Sequence, residues 1–233
     1  MQLLRLVLFD IDGTLVSSAG AGRRAMERAL LEVFGCSGDS TYRYDGKTDR
    51  QIVRELMRSQ GFDDRAIDLL MPAVLEAYLA NLRQELAVSR ARVRALQGVE
   101  PLLDAIAASN YLVPGLLTGN LEQGAYLKLA AAGLEPGAFR VGAFGSDHED
   151  RFQLPPIALQ RARRSLGRDV GSEELVIIGD TPNDIACGRP LGVRVIAVAT
   201  GQYPFDELAR HRPWALFSDL SDTDAVLAAI ENA

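Results

Sequence analysis

The stretch Leu3-Leu4-Arg5-Leu6-Val7-Leu8-Phe9-Asp10-Ile11-Asp12-Gly13-Thr14-Leu15 decides how the rest of this chain is read. The apolar run from Leu3 to Phe9, broken only by Arg5, predicts a buried strand of a parallel sheet. It runs straight into two carboxylates and a glycine. In an extended chain, positions two apart point the same way, so Asp10 and Asp12 are expected to face one small space beyond the strand's carboxyl end. Open α/β sheets hold their ligands at that edge. Two close carboxylates repel each other, and a cation between them relieves the repulsion. A turn or helix cap would account for Asp12-Gly13, because Asp-Gly is a favoured turn dipeptide, but it leaves the carboxylate pair unexplained.

Two more strand ends complete a pattern. Glu174 to Gly179 is a second apolar strand, followed by Asp180-Thr181-Pro182-Asn183-Asp184. Tyr111 to Leu117 is a third, ending in Thr118-Gly119-Asn120. Helical segments separate the three. Acidic pair, threonine and acidic pair, in that order, resemble the haloacid dehalogenase superfamily of phosphatases. Its first motif is DxDGT, its second a Ser or Thr, and its fourth GDxxxD. The resemblance spans essentially the whole chain.

Composition sets the bounds. At 233 residues the chain can hold one large domain, or one domain with a smaller insert. A 48 % hydrophobic and 24 % charged share is that of an ordinary globular protein. No apolar run approaches the ~20 residues of a membrane span, and no signal peptide is visible before the first strand. Cys36 and Cys187 lie far apart and match no metal or redox spacing, so the expectation is a reduced, cytoplasmic protein. The net charge of −6 argues against nucleic acid as a partner. It also means that a phosphate site must be made locally positive by a metal, Lys, Arg or backbone N–H groups.

The βα rhythm stops after the first motif and returns near residue 91. Apolar residues at helical spacing predict a helix from Ala19 to Phe34, closed by Gly35. A polar loop, Cys36 to Lys47, follows. Thr48 is the expected N-cap of a helix reaching Gln60, and a further helical stretch runs from about Asp63 to Val88, with Pro72 as a break or the start of a second helix. No strand is evident from 18 to 90. The predicted organisation is a doubly wound, Rossmann-like α/β core, residues 1–16 and 91–233, with an all-helical insert at 17–90. In the core, helices are expected at Val99–Ser109, after Asn120 as N-cap, and at Leu154–Leu166; strands are expected at Phe139–Phe144 and Arg194–Ala199. The resemblance implies that the insert is a mobile cap over the active site, with Gly20 and Gly22 as its hinge.

The resemblance also implies roles. Asp10 is the candidate nucleophile, forming an aspartyl-phosphate. Asp12 is the candidate general acid and base, contributing only its backbone carbonyl to a metal. Asp180 completes the protein ligands of a Mg²⁺ with Asp10, and Asp184 orients that shell or meets the metal through a water. Thr118 offers a hydroxyl, and Gly119 and Asn120 offer N–H groups, to a phosphate. The third motif departs from the family pattern. Where a KPxP stretch is expected, the sequence reads Asp150-Arg151-Phe152-Gln153-Leu154-Pro155-Pro156. Gln153, uncharged, falls at the lysine position, so the basic role goes to Arg151. Arg161, Arg163 and Arg164 are expected on a solvated helix face, and His148 in a polar surface loop.

These readings converge on a Mg²⁺-dependent phosphatase acting on a small soluble phosphorylated metabolite, similar to phosphoglycolate phosphatases in motif order and cap type. A sugar phosphomutase of the same superfamily is the alternative. A true dehalogenase lacks the second aspartate of DxD, and a dinucleotide-binding oxidoreductase would carry GxGxxG after the first strand. A non-catalytic binding module is disfavoured by the intact set of Asp10, Asp12, Thr118 and Asp180. The loop Thr41-Tyr42-Arg43-Tyr44-Asp45-Gly46-Lys47 is open to two readings. Arg43 and Lys47 hold a second anionic group of the substrate, or the loop is a solvated turn whose tyrosines pack on neighbouring helices.

Overall fold

The computed structural model describes residues 4–90 and 92–233. Leu3 and residue 91, expected to open the first strand and to resume the core, lie outside the described residues. The chain runs β1 (Arg5–Phe9), β2 (Val16–Ser17), α1 (Ala21–Phe34), α2 (Asp49–Ser59), α3 (Asp64–Val88), β3 (Arg94–Ala95) and α4 (Val99–Ala108). It continues through β4 (Leu112–Thr118), α5 (Glu122–Ala131), β5 (Val141–Phe144), α6 (Leu154–Leu166) and β6 (Leu175–Gly179). The remainder is α7 (Pro182–Gly188), β7 (Arg194–Val198), α8 (Phe205–Arg210), β8 (Ala215–Phe217) and α9 (Thr223–Glu231).

A six-stranded sheet has the order β5-β4-β1-β6-β7-β8, with every neighbouring pair parallel. Strand β1 is apolar from Leu6 to Phe9 because it is covered on both faces. Val7 and Phe9 enter one hydrophobic cluster, Leu6 and Leu8 the other. Strand β6 divides the same way, with Val176 and Ile178 on one side and Leu175 and Ile177 on the other. Arg5 survives at the buried start of β1 because its guanidinium donates to the carbonyls of Glu173 and Glu231. From β1 the chain builds outward through β4 and β5, then returns to add β6, β7 and β8 on the other side. The switch point lies at β1, so the carboxyl ends of β4, β1 and β6 are adjacent, and a crevice opens there.

Between β2 and β3 the chain forms three helices, α1, α2 and α3. The entrance and exit of this segment pair with each other as a short antiparallel ribbon, Val16 opposite Ala95 and Ser17 opposite Arg94, which the sequence reading did not contain. Pro72 does not break the chain: α3 is continuous through it. A proline inside a helix costs about 3 kcal/mol. Against that, α3 buries Ile67, Met71, Val74, Tyr78, Leu82 and Leu86 along one face, enough apolar area at roughly 1.5–3 kcal/mol each to hold the helix together. Those residues share a hydrophobic cluster with Met26 and Leu30 of α1 and with Val7 and Phe9 of the sheet, so insert and sheet bury their apolar faces together. The segment after β7, for which the sequence reading set no elements, adds α8, β8 and α9.

Polar contacts fasten the amino end of α2 to the sheet edge. Thr48 is the N-cap as predicted, its hydroxyl accepting the Gln51 N–H at 3.1 Å while donating to the Glu149 carbonyl at 2.6 Å. The Asp49 N–H reaches the Gly119 carbonyl at 2.8 Å, and Asn183 Nδ2 donates to the Gly46 carbonyl at 3.1 Å. Gly119 is required here, since a Cβ on it would lie 2.0 Å from the Lys47 carbonyl oxygen. Because Thr48 is fully buried and serves both as cap and as tie, Thr48→Ala is expected to cost about 1–2 kcal/mol. In a thermal melt that is a fall in Tm of about 2–8 °C, and Thr48→Ser recovers most of it.

Candidate active site

Each wall of the crevice comes from a strand end. Asp10 follows β1, Thr118 closes β4 and Asp180 follows β6, and all three are buried. The chain turns sharply beyond β1: the N–H groups of Leu15 and Val16 both reach the Ile11 carbonyl, and Gly13 takes a φ of 83°. Extended geometry therefore stops at Phe9. Asp10 and Asp12 line the same cleft, but they face different partners within it.

Asp10, Asp180 and Asp184 form one cluster, each offering a carboxylate oxygen within 4.8 Å of the others. Arg151 lies among them, its Nη2 3.3 Å from Asp10 Oδ1 and in a closer ion pair with Asp184. Asp184 is fully occupied: the Thr181 N–H and hydroxyl donate to its Oδ2 at 2.9 and 2.7 Å, while Arg151 takes Oδ1. Asp180 sits in a cradle made of glycine. A Cβ on Gly13 would lie 2.3 Å from Asp180 Oδ2, and one on Gly201 would lie 1.8 Å from it, while Thr14 donates to Oδ1 at 2.9 Å.

Three buried carboxylates share one guanidinium. Burial pushes the Asp10 carboxyl up to about 6; Arg151 offsets this only in part, and Asp184 and Asp12 add to it. Asp180 is raised well above the usual carboxylate range, by burial first and then by Asp184 and Asp10. Among the described residues, Asp10 Oδ1 is buried and accepts no hydrogen bond, with Arg151 Nη2 3.3 Å away. An all-oxygen donor set, an excess of buried negative charge and an orphaned carboxylate oxygen fit a hard divalent cation such as Mg²⁺.

Asp12 is set apart. Its Oδ1 accepts from Ser18 Oγ at 3.0 Å, and its Oδ2 accepts from Asn120 Nδ2 at 2.9 Å and Lys128 Nζ at 2.5 Å. Withdrawal from water works to raise its carboxyl, but Lys128 and these hydrogen bonds outweigh it and hold the group below the usual range.

Asn120 is not the helix cap expected from the sequence. Its amide is committed to the site, donating to Asp12 and to Thr118 Oγ1 at 2.8 Å. The start of α5 is capped instead from the insert, where Asp49 Oδ2 accepts the Leu121 N–H at 2.8 Å.

Lys128, Asp49 and Ser18 were not singled out in the sequence. Lys128 carried a signal: it shares a helix face with Leu121, Ala125 and Leu129, all buried, and a lysine on that face needs a partner.

Arg43, Lys47, Gly119 and Asn120 all line the cleft, whose volume is about 850 Å³. Lys47 does not present a free ammonium to it. Its Nζ is bound to Glu55 at 2.8 Å and to the Tyr42 hydroxyl at 2.6 Å. Arg43 stacks over the Tyr203 ring at 4.3 Å and pairs with Asp45 at 3.4 Å. Gln153 is exposed, and Arg161 is paired with Asp147 away from the carboxylate cluster. Both cysteines are free thiols; that of Cys187, beneath the cluster, is pushed up to about 12 by burial.

With this geometry in place, comparison is informative. The family model for haloacid dehalogenase-like hydrolases matches residues 7–198. The chain belongs to that family. Among the relatives of this haloacid dehalogenase-like hydrolase is a phosphoglycolate phosphatase of Rhodospirillum rubrum, 27 % identical over 93 % of this chain and 88 % of its own. Another is the pyrophosphatase PpaX of Bacillus pumilus, 25 % identical over 97 % of each chain. A solved hydrolase from Pseudomonas syringae superposes with a TM-score of 0.70 at 21 % identity, covering 97 % of this chain and 98 % of that one.

The capping carboxylate of Asp49 makes a measurable prediction. Burial pushes it up to about 6, with Lys128 only partly opposing. An acid that holds its proton more tightly when folded contributes stability below its unfolded pKa, near 4, and loses that contribution as pH rises through 6. Asp49→Asn keeps an oxygen for the Leu121 N–H but cannot titrate. Between pH 4 and 7.5 its stability relative to wild type should rise by up to about 3 kcal/mol, read as the difference in slope of Tm against pH.

Proposed function

We propose that this chain is a Mg²⁺-dependent phosphatase that hydrolyses a small soluble phosphomonoester through an aspartyl-phosphate on Asp10. One observation carries this reading. Asp10 and Asp12 stand at the end of the same strand in opposite settings, one among carboxylates and an arginine, the other held by Lys128, Asn120 and Ser18. Double displacement needs such a division between an attacking carboxylate and a proton carrier. The names of the relatives, phosphoglycolate phosphatase and pyrophosphatase, support a phosphoryl substrate.

In this reading Asp10 attacks phosphorus in line with the ester oxygen. Asp12 gives that oxygen its proton and later takes one from the water that hydrolyses the intermediate. The Thr118 hydroxyl and the backbone N–H groups of Gly119 and Asn120 hold phosphate oxygens, and Arg151 holds Asp10 on line while facing the phosphate. Asp10, the Asp12 carbonyl and Asp180 would hold Mg²⁺, which when bound neutralises charge on phosphate and carboxylates. Asp184 holds Arg151. Residues 17–90 act as a cap over residues 1–16 and 91–233, excluding water. Of the candidate anion-binding residues in the loop, Arg43 is the one whose guanidinium is not bound to the cap helix, since Lys47 is occupied by Glu55. With both cysteines free, the cytoplasm is the compartment this reading favours.

Hydrolysis of p-nitrophenyl phosphate should appear with Mg²⁺ and vanish with chelator. Asp10→Asn should lower kcat by about 10⁴-fold or more with the fold intact, and phosphate release by that variant at the wild-type rate would overturn covalent catalysis at Asp10. A hexose 1-phosphate decides against the mutase alternative if free phosphate appears faster than its isomer. Arg151→Ala would leave Asp184 buried and unpaired at a cost of about 3–5 kcal/mol, so Arg151→Lys is the cleaner variant. It should raise KM and lower kcat, because the guanidinium contacts phosphate before and during transfer.

A further inference from the structure

We propose that Lys128 is a positioning residue for Asp12: its ammonium clamps the Asp12 carboxylate and the Asn120 amide into one rigid unit aimed at the leaving oxygen. The proposal rests on the reading of Asp12 as proton carrier and extends it to a residue outside the four motifs.

The geometry is specific. Lys128 Nζ lies 2.5 Å from Asp12 Oδ2 and 2.5 Å from Asn120 Oδ1, with its side chain only 4 % exposed. Because the ammonium can only donate, Asn120 must turn its Oδ1 toward Lys128. Its Nδ2 is then left facing Asp12 Oδ2 at 2.9 Å and Thr118 Oγ1 at 2.8 Å, both of which can accept. One cation thus fixes the orientation of two neighbours. Ser18 holds the other Asp12 oxygen, so neither end of the carboxylate can swing.

A merely structural ion pair would be expected to lie in the dry core, with both members covered. This one does not. Lys128 is enclosed, while the Asp12 side chain stays 40 % exposed to the cleft. Burying an ammonium is costly unless it is paired, so the site keeps a lysine here against that cost. Space for it is also provided. A Cβ on Gly22, in the first turn of α1, would lie 3.1 Å from Nζ, and the Asp49 and Tyr78 side chains line the same corner.

The test uses four proteins: wild type, Lys128→Met, Asp12→Asn and the double variant. Each is assayed with Mg²⁺ on p-nitrophenyl phosphate, whose leaving group needs no proton, and on glycerol phosphate, whose leaving group does. The quantity read is the ratio of kcat/KM for the alkyl ester to that for the aryl ester. The concentration of active enzyme cancels in this ratio, so partial misfolding of Lys128→Met cannot imitate the effect. Asp12→Asn should depress the ratio by about 100-fold and Lys128→Met by about 10-fold or more. The double variant should match Asp12→Asn within about two-fold, since Lys128 acts through Asp12. Equal losses on both esters in Lys128→Met, or a double variant well below Asp12→Asn, overturn the assignment to Lys128 while leaving Asp12 in place. An unchanged ratio in Asp12→Asn itself removes the proton-carrier reading, and the Lys128 proposal with it.

Discussion

Arg151 is the counter-charge on which the crevice depends. Asp10 and Asp180 are brought together by strand order, because the ends of β1 and β6 are neighbours in the sheet, and the first turn of α7 adds Asp184. Without a cation among them, the protein would have to protonate them or separate them. One guanidinium pairs directly with two of the three. What remains is a deficit of positive charge, visible as the raised carboxyls of Asp10 and Asp180. The glycines at 13 and 201 leave the room that Asp180 occupies in this cluster.

The helical insert reaches the crevice through its backbone as much as its side chains. The Asp49 N–H meets the Gly119 carbonyl, the Lys47 carbonyl leaves room for nothing larger than glycine at 119, and the Asp49 carboxylate caps α5. Helix α5 in turn carries Lys128. Position of the insert and arrangement of the groups around Asp12 are therefore mechanically linked, through a helix only ten residues long.

Much of this was legible in the sequence, for physical reasons that differ by residue. Strands covered on both faces must be apolar throughout, so β1, β4 and β6 declared themselves, and with them the carboxylates and threonine at their ends. Thr48 was legible as a cap because its hydroxyl bonds locally. Arg151 was reached by elimination around Gln153, and the structure places it beside Asp10; its role in phosphate binding belongs to the proposal. What was not legible depended on contacts distant in sequence. Asn120 has the right chemistry for a cap, but a carboxylate from 72 residues away takes that position and frees its amide. Lys47 reads as a free cation because its partner Glu55 lies eight residues on, nearly two turns into α2. Pro72 looked like a break, since local propensity cannot weigh the burial along α3. Strands β2 and β3 are two residues each, too short for any periodicity.

The same accounting explains how neighbouring aspartates come to differ. Asp10 and Asp12 are two residues apart, Asp10 the more deeply buried, and withdrawal from water works to raise both. The turn after Phe9 sends them to different partners. Asp10 meets two further carboxylates and shares Arg151 with Asp184, and its carboxyl rises. Asp12 meets an ammonium, an amide and a hydroxyl, all of them donating to it, and its carboxyl falls. These two settings are produced by the turn closed on the Ile11 carbonyl and by one lysine on the buried face of α5.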